Sequence, residues 1–294
     1  MPTQTATTGQ LENAQRIAIS QARYTAEHNA PMLGLVERFG LKQGEKTITV
    51  PKVGQMTAAA LSDGVDLVSS ENIGMTTTDL TTAEVGLKVI ITDKLARQEN
   101  EDVFKIVGKQ AGDAVARKKD GDVLALFSAL NGATDLGSAG IDLELGNMLT
   151  FIAEAKKNKY PRPVFIVHNP MATMHVLMSV AGYAGGAGGA AAAGGNLGSD
   201  LSKGLLGDFY EFKLGDVRVF QDGNIAEDGS NDGVGAIFSK EAMCYTESVG
   251  FNVERERDAS LRATELVTVC DYGVFELDDG YGAPITANMA ETAA

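Results

Sequence analysis

Residues 46–130 hold the feature that most restricts what this chain can fold into. The segment reads as a long two-stranded arm running directly into a long helix. In its returning half, Val85, Leu87, Val89 and Ile91 alternate with Glu84, Gly86 and Lys88, the period of a strand with one apolar face. The outgoing strand is expected at 46–53, and Thr92-Asp93 opens a helical pattern. The sequence between the strands is rich in Ser, Thr and Ala and poor in large apolar residues. Arms of about 20 residues at roughly 3.3 Å each reach on the order of 60 Å. A compact globule of this length has a radius of gyration of only about 19 Å. Such an arm cannot lie on its own domain along its whole length, and an isolated hairpin is marginal in water. It is expected to rest on another copy of the chain, so the feature points to assembly ahead of catalysis.

Composition narrows the class. The 294 residues suffice for one large or two ordinary domains. Trp is absent and aromatic residues make up 6%, so packing must rely on Ala, Val, Leu and Ile. The net charge of −14 argues against a surface that grips nucleic acid, because phosphate contacts need clustered Lys and Arg. Cys244 and Cys270 form no CxxC and read as small core residues in a reducing compartment. No apolar run reaches the ~18 residues of a membrane span. The first residues lack the basic and apolar parts of a signal peptide, so synthesis in the cytoplasm is expected.

Along the chain, residues 1–10 read as a flexible arm, 11–27 as a weak helix, and 33–41 as a short apolar patch. From residue 102 a helical wheel places Val103, Phe104, Val107, Ala111, Ala114 and Val115 on one face. Lys105, Lys109, Asp113, Arg117 and Asp120 fall on the other. Beyond Gly121 the stripe changes sides, to Val123, Leu126, Phe127 and Leu130. A single Gly costs only about 1 kcal/mol in a helix, so one continuous helix with a different partner on each half is expected. A loop at 131–140, a helix at 143–158 and a buried strand at 163–168 follow. Asn169-Pro170 then caps a helix over 171–180. Residues 182–199 are low-complexity Gly/Ala sequence and read as a surface loop. Strands are expected at 211–214 and 217–221 around a Gly215-Asp216 turn, at 236–239, and at 251–257 and 261–275 around 258–260. Residues 278–294 read as a tail.

Candidate chemistry is sparse. The Gly-rich run has neither GK[ST] nor GxGxxG between strand and helix, so no phosphate cradle is expected. His28, His168 and His175 are scattered, without a metal-ligand pattern, and read as surface or capping residues. Asp228, Ser230 and Asp232 match the first half of a calcium loop, but the twelfth position is Ser239 where a bidentate Glu is needed. Those three residues are either an Asp/Gly-rich turn or a weak cation site tied to assembly. No nucleophile sits in a recognisable elbow, so neither an enzyme nor a bound cofactor is expected. In Val253-Glu254-Arg255-Glu256-Arg257 the charges alternate between the strand faces. They form either a solvated face or a set of charge pairs across a subunit contact.

The order of these parts resembles the tailed-bacteriophage major capsid proteins of the Hong Kong 97-type fold. The stretches that carry the resemblance are GEKTITVPKVGQMTAAALSDGVDL, MTTTDLTTAEVGLKVIITDKLARQENEDV, DGDVLALFSALNG, PVFIVHNPMATMHVLMS and the sequence from AIFSKEAMCYTESVG to DDGYGAPI. The GE…PKVGQ…A…L stretch is similar to capsid proteins of short-tailed phages. The resemblance implies an α+β chain with an N-terminal arm (1–43), an extended β-hairpin loop (44–92), and a spine helix with part of a peripheral domain (93–140). A mixed α/β axial domain (141–245) and peripheral β-strands with a C-terminal tail (246–294) complete it. It implies a homo-oligomer of hexamers and pentamers closed into an icosahedral shell in the virion, enclosing double-stranded DNA without sequence-specific binding and without a membrane. The acidic charge suits a container that must not trap a polyanion. Lys52, Lys88, Glu254, Arg255, Glu256 and Arg257 are the expected subunit-contact residues. The short stretch before the loop strand implies a separate scaffolding protein, and a portal and a decoration protein are further expected partners. The alternatives are an encapsulin-like compartment shell, which needs a cargo-docking groove, and an α/β nucleotide-binding enzyme.

Overall fold

The computed structural model describes residues 31–42, 44–54, 56–58, 60–61, 63–64, 66, 70, 72–98, 103–176 and 211–290. The expectations for 1–10, 11–27, His28, 182–199 and the part of the 171–180 helix beyond 176 lie outside them. The described chain opens with a single helical turn, α1 (Met32–Leu35), and a short strand, β1 (Glu37–Gly40). Met32, Leu35, Val36 and Leu41 of this apolar patch are buried.

The two-stranded ribbon is β2 (Thr47–Val53) paired antiparallel with β3 (Met75–Thr81), from Thr47↔Thr81 to Val53↔Met75. This corrects the expected hairpin. The returning strand divides at Thr82, and its second part, β4 (Ala83–Thr92), leaves the ribbon for the body. There β4 pairs with β11 (Ala263–Glu276), for example Leu87↔Thr268. Two contacts fix the division. The Thr82 hydroxyl donates to Asp271 Oδ2 at 2.8 Å, and Thr81 O passes so close to Gly273 that a Cβ there would lie 2.1 Å away. The alternation at 85–91 therefore records burial of one face against the chain's own core, where Val85 and Leu87 pack. The paired part of the ribbon is only seven residues per strand.

Helix follows over two described stretches, α2 (Asp93–Gln98) and α3 (Val103–Ala125). α3 runs unbroken through Gly121 and ends in a 3-10 turn at Leu126–Ala129, as expected of a spine with two partners. Its length lies against α1, β4, β10 (Met243–Asp258) and β11, whereas the 3-10 turn meets β9 (Asp232–Ser239) and β12 (Gly282–Asn288). Ala111 and Val115 are buried on the first half, and Val123, Phe127 and Leu130 after the change of sides. The Phe127 and Phe238 rings, with centroids 5.6 Å apart, join the end of the spine to β9.

Two sheets flank the spine. A four-stranded sheet has the order β1-β10-β11-β4. A six-stranded sheet has the order β5-β12-β9-β6-β8-β7, where β5 is Leu136–Gly137, β6 Val164–His168, β7 Glu211–Leu214 and β8 Val217–Gln221. Gly215, at φ +62°, supplies the left-handed position of the β7–β8 turn. α4 (Leu145–Lys157) buries Met148, Phe151, Ile152 and Ala155. Asn169 caps the helix that begins at residue 170, its Oδ1 accepting Met171 N at 2.9 Å.

Three further expectations are corrected. Residues 282–288 are no tail: β12 is an interior strand, with Ala283, Ile285 and Ala287 buried between β5 and β9. A short run with small residues at every second position was too weak a strand signal beside the Gly and Pro around it. Asp120 does not lie on the solvent face but is fully buried where α3 crosses α1. His168 and His175 are buried, not surface residues. His168 Nδ1 accepts Asn169 N at 2.8 Å, which leaves Nε2 to donate to Ile285 O at 3.2 Å. Burial holds its pKa down at about 4, so the ring is neutral. His175 Nδ1 lies 3.5 Å from Asp142 Oδ1.

Candidate assembly surfaces

Among the described residues no group of three His, Cys, Asp or Glu side chains is placed to share a metal ion. The calcium-like stretch is a turn whose acids are occupied by backbone. Asp228 Oδ1 accepts Ser230 N at 2.7 Å and Asp232 N at 2.9 Å, and these hydrogen bonds hold its carboxyl below the usual range. Asp232 is buried and its Oδ1 accepts Gly140 N at 2.6 Å. Asn231, at φ +63°, closes the turn. Both cysteines are free and buried, and burial pushes the Cys244 thiol up to about 12, far from a reactive thiolate.

The ribbon is the most exposed apolar element. Val53, Met56, Leu61, Ile73 and Met75, at and beyond the end of the paired strands, are between 53% and 70% exposed. No helix or strand is found among the described residues of 54–74. Large apolar side chains left exposed together in one segment mark an interaction surface. The ribbon is tied to the body one pair short of its far end: Lys52, opposite Thr76, has its Nζ 2.7 Å from Asp278 Oδ1.

A second surface is the β10–β11 hairpin. β1 covers β10 only from Cys244 to Glu247, in parallel. Beyond the irregular register at Glu247–Asn252, β11 pairs with one edge of β10 out to Asp258, and no described strand covers the other. Residues 248–257 are exposed throughout, including Val249, Phe251 and Val253. Here the expected contact residues divide. Arg257 is paired within the chain, with Asp93 at the start of α2. Lys88 of β4 is likewise paired at home, with Glu265 of β11. Glu254, Arg255 and Glu256 are exposed along the strand. Glu256 lies directly opposite Glu265, a like-charge pairing that disfavours an isolated sheet and that Lys88 offsets.

One polar cluster carried no signal in the sequence. Lys119 is 7% exposed, with Nζ 2.9 Å from Glu247 Oε1 and 5.5 and 5.4 Å from the ring centroids of Tyr245 and Tyr272. The tyrosines stack at 5.8 Å; Tyr245 donates to Glu247 Oε1 at 3.0 Å and Tyr272 to Asp122 Oδ2 at 2.6 Å. Burial and these carboxylate partners push both phenols well above their ordinary value. The cluster fixes the spine to the hairpin root. Lys119 and Asp122 of the spine lie more than a hundred residues from their hairpin partners, so no spacing rule finds them.

This arrangement of ribbon, spine, hairpin and six-stranded sheet is that of known phage capsids. The structure is similar to a structure of Mycobacterium phage Che8 (TM-score 0.65, 17% identity, 91% of this chain and 94% of that one). It is also similar to the cyanophage Pam1 capsid asymmetric unit (TM-score 0.69, 11% identity, 93% and 96%). A third likeness is to the head of Helicobacter pylori bacteriophage KHP40 (TM-score 0.67, 11% identity, 95% and 97%). The fold is the α+β Hong Kong 97 type. No curated protein matches the sequence. The family model described as phage capsid protein matches residues 75–283, well over half of the chain. The chain belongs to the phage capsid protein family, the shell-forming subunits of phage heads. Neither the encapsulin nor the nucleotide-enzyme alternative is favoured by that match. No described helix is long and apolar enough to cross a membrane.

Proposed function

We propose that the protein is the major capsid subunit of a tailed phage, closing as hexamers and pentamers into an icosahedral shell around double-stranded DNA. The observation that carries this reading is the exposed apolar segment at and beyond the end of the β2–β3 ribbon, Val53, Met56, Leu61, Ile73 and Met75, next to the point where Lys52 ties the paired strands to Asp278. The ribbon end laps over a neighbouring copy, and the uncovered edge of β10 with Glu254, Arg255 and Glu256 meets a further one. Lys88 and Arg257, already paired within the subunit, set the shape of that surface. The net charge of −14 keeps the inner wall from holding its polyanionic cargo. The role is structural, with no catalytic step. A scaffolding protein and a portal direct closure, a decoration protein is a further partner, and subunits are made in the host cytoplasm before entering the virion.

Negative-stain microscopy of the expressed chain, alone and with its scaffolding protein, tests the reading. Closed shells of uniform diameter are the expected result. Tubes, trimeric knobs or dispersed monomers under both conditions would overturn it.

A further inference from the structure

The crossing of α1, α3 and the end of β8 contains two acids out of contact with solvent. Asp120 and Asp222 are both fully buried. Asp120 is committed on both oxygens: Oδ1 accepts Met32 N at 3.1 Å and Oδ2 accepts Asn224 Nδ2 at 2.9 Å. Asp222 Oδ1 accepts Asn224 N at 2.8 Å, and Asp222 N donates to His168 O at 3.0 Å. Asp222 Oδ2 is buried with no donor directed at it. Among the described residues the titratable group acting on Asp222 is the Asp120 carboxyl.

Among the described residues, the other packed elements supply no counter-charge to Asp222. α1 contributes a backbone N–H, the 222–225 turn the Asn224 amide, and β6 a carbonyl, while the neutral His168 ring is turned to Asn169 and Ile285. The cations next along α3 point elsewhere, Lys118 to Asp122 and Lys119 to Glu247. Two buried carboxylates joined through Asn224, with no cation on Asp222 among the described residues, do not both stay ionised. A single proton on Asp222 Oδ2, donated to Asp120, removes one charge and satisfies the orphaned oxygen together.

We propose that Asp120 and Asp222 share one proton, and that this proton latches segment 31–36 and the spine helix to the end of β8 in the six-stranded sheet. Loss of the proton sets two negative charges against each other at the point where Met32 is tied down, so the latch loosens as pH rises. In keeping with this geometry, burial and the neighbouring Asp120 raise the Asp222 pKa to about 8. Because that value lies above the unfolded one, the folded chain holds the extra proton between about pH 4 and pH 8. The latch therefore stabilises fully below that window and fades as pH rises through it. The inference concerns the single subunit and stands whether or not shells form.

Asp222→Asn keeps an amide donor toward Asp120 at every pH and removes the titration. Urea unfolding of the full-length subunit and this variant is compared from pH 5 to pH 8. The folding constant of the parent should fall relative to the variant by about tenfold per pH unit, the slope of one proton. Hydrogen exchange at Met32, corrected for intrinsic rate, should be faster in the parent than in the variant at pH 8.5 and equal at pH 5. Parallel profiles in either measurement overturn the latch. Should the variant fail to fold, carbon-13 titration of the parent decides. An Asp222 carboxyl midpoint above about pH 6, two units over an ordinary carboxylate, supports the shared proton, and a lower midpoint overturns it.

Discussion

Arg257 grips Asp93 with two parallel hydrogen bonds, Nη1 to Oδ1 at 2.5 Å and Nη2 to Oδ2 at 2.7 Å. The pair joins the far end of β10 to the first residue of α2, so the outer tip of the hairpin is fixed to the start of the helical spine. Arg97 and Arg262 reinforce the corner: Arg97 Nε donates to Asp93 O at 3.1 Å, and Asp93 N donates to Arg262 O at 2.9 Å. The planar guanidinium matches both carboxylate oxygens at once, a geometry that Lys cannot reproduce.

Arg257→Lys and Asp93→Asn should each lower the melting temperature of the subunit at neutral pH. The hydrogen bond and charge of Arg257 hold the Asp93 carboxyl below its usual range, against the opposing effect of its partial burial. A lowered pKa means that the pair stabilises above the unfolded carboxylate value of about 4 and is lost as pH falls through the folded value. Asp93→Asn should therefore flatten the acid limb of a melting-temperature profile below about pH 4. An unchanged acid limb counts against the pair. The acid limb has the opposite sign to the Asp120–Asp222 latch, so the subunit should be most stable in mild acid.

Gly121 lies within α3, and a Cβ built there meets nothing within 4 Å. Gly121→Ala should stabilise the subunit by about 1 kcal/mol, the difference in helix propensity. Gly121→Pro should cost about 3 kcal/mol or more by removing a helical hydrogen bond and crowding the preceding turn, and should prevent shells. Urea unfolding and microscopy check both variants; normal shells from the Pro variant would show that the spine need not be continuous.

Gly235 is the place in β9 where the His168 ring crosses. A Cβ would lie 2.4 Å from His168 Cδ2 and 2.4 Å from Val167 O. A backbone oxygen cannot swing aside, so Gly235→Ala should destabilise by about 1–3 kcal/mol through overpacking. Gly250, with only one side-chain atom near the 4 Å limit, gives the matching control: Gly250→Ala should change stability by less than about 0.5 kcal/mol. Similar losses from the two substitutions would contradict the packing described around His168.

Much of this architecture was legible because single segments carried it. The change of apolar face across Gly121 foretold one helix with two partners, and Asn169-Pro170 marked a capped helix start. What escaped notice depends on contacts distant in sequence. Strand alternation at 85–91 reports one buried face but not which strand lies beside it, so β4 read as ribbon when it belongs with β11. Asp120 sits among charged helix positions, and only its tie to Met32 and Asn224 explains its burial. Lys119 between Tyr245 and Tyr272 is invisible for the same reason. β12 went unseen because Gly and Pro at its start mask an interior strand of small residues.

Among the described residues, removal of 56–73 takes away exposed side chains and none of the buried core. The shortened subunit should keep its melting temperature to within about 2 °C, since surface changes are worth about 0.5 kcal/mol or less. It should remain soluble and fail to close into shells. A large loss of stability would mean that the ribbon end packs on its own body.

Where the ribbon end lies in an assembled particle decides whether it laps a neighbouring copy. A cryo-electron microscopy map of the shell should place Met56, Leu61 and Ile73 against a neighbouring copy, with Lys52 still paired to Asp278 of its own subunit. A map in which those three side chains fold back onto the subunit that bears them, with no neighbour in contact, would contradict the account.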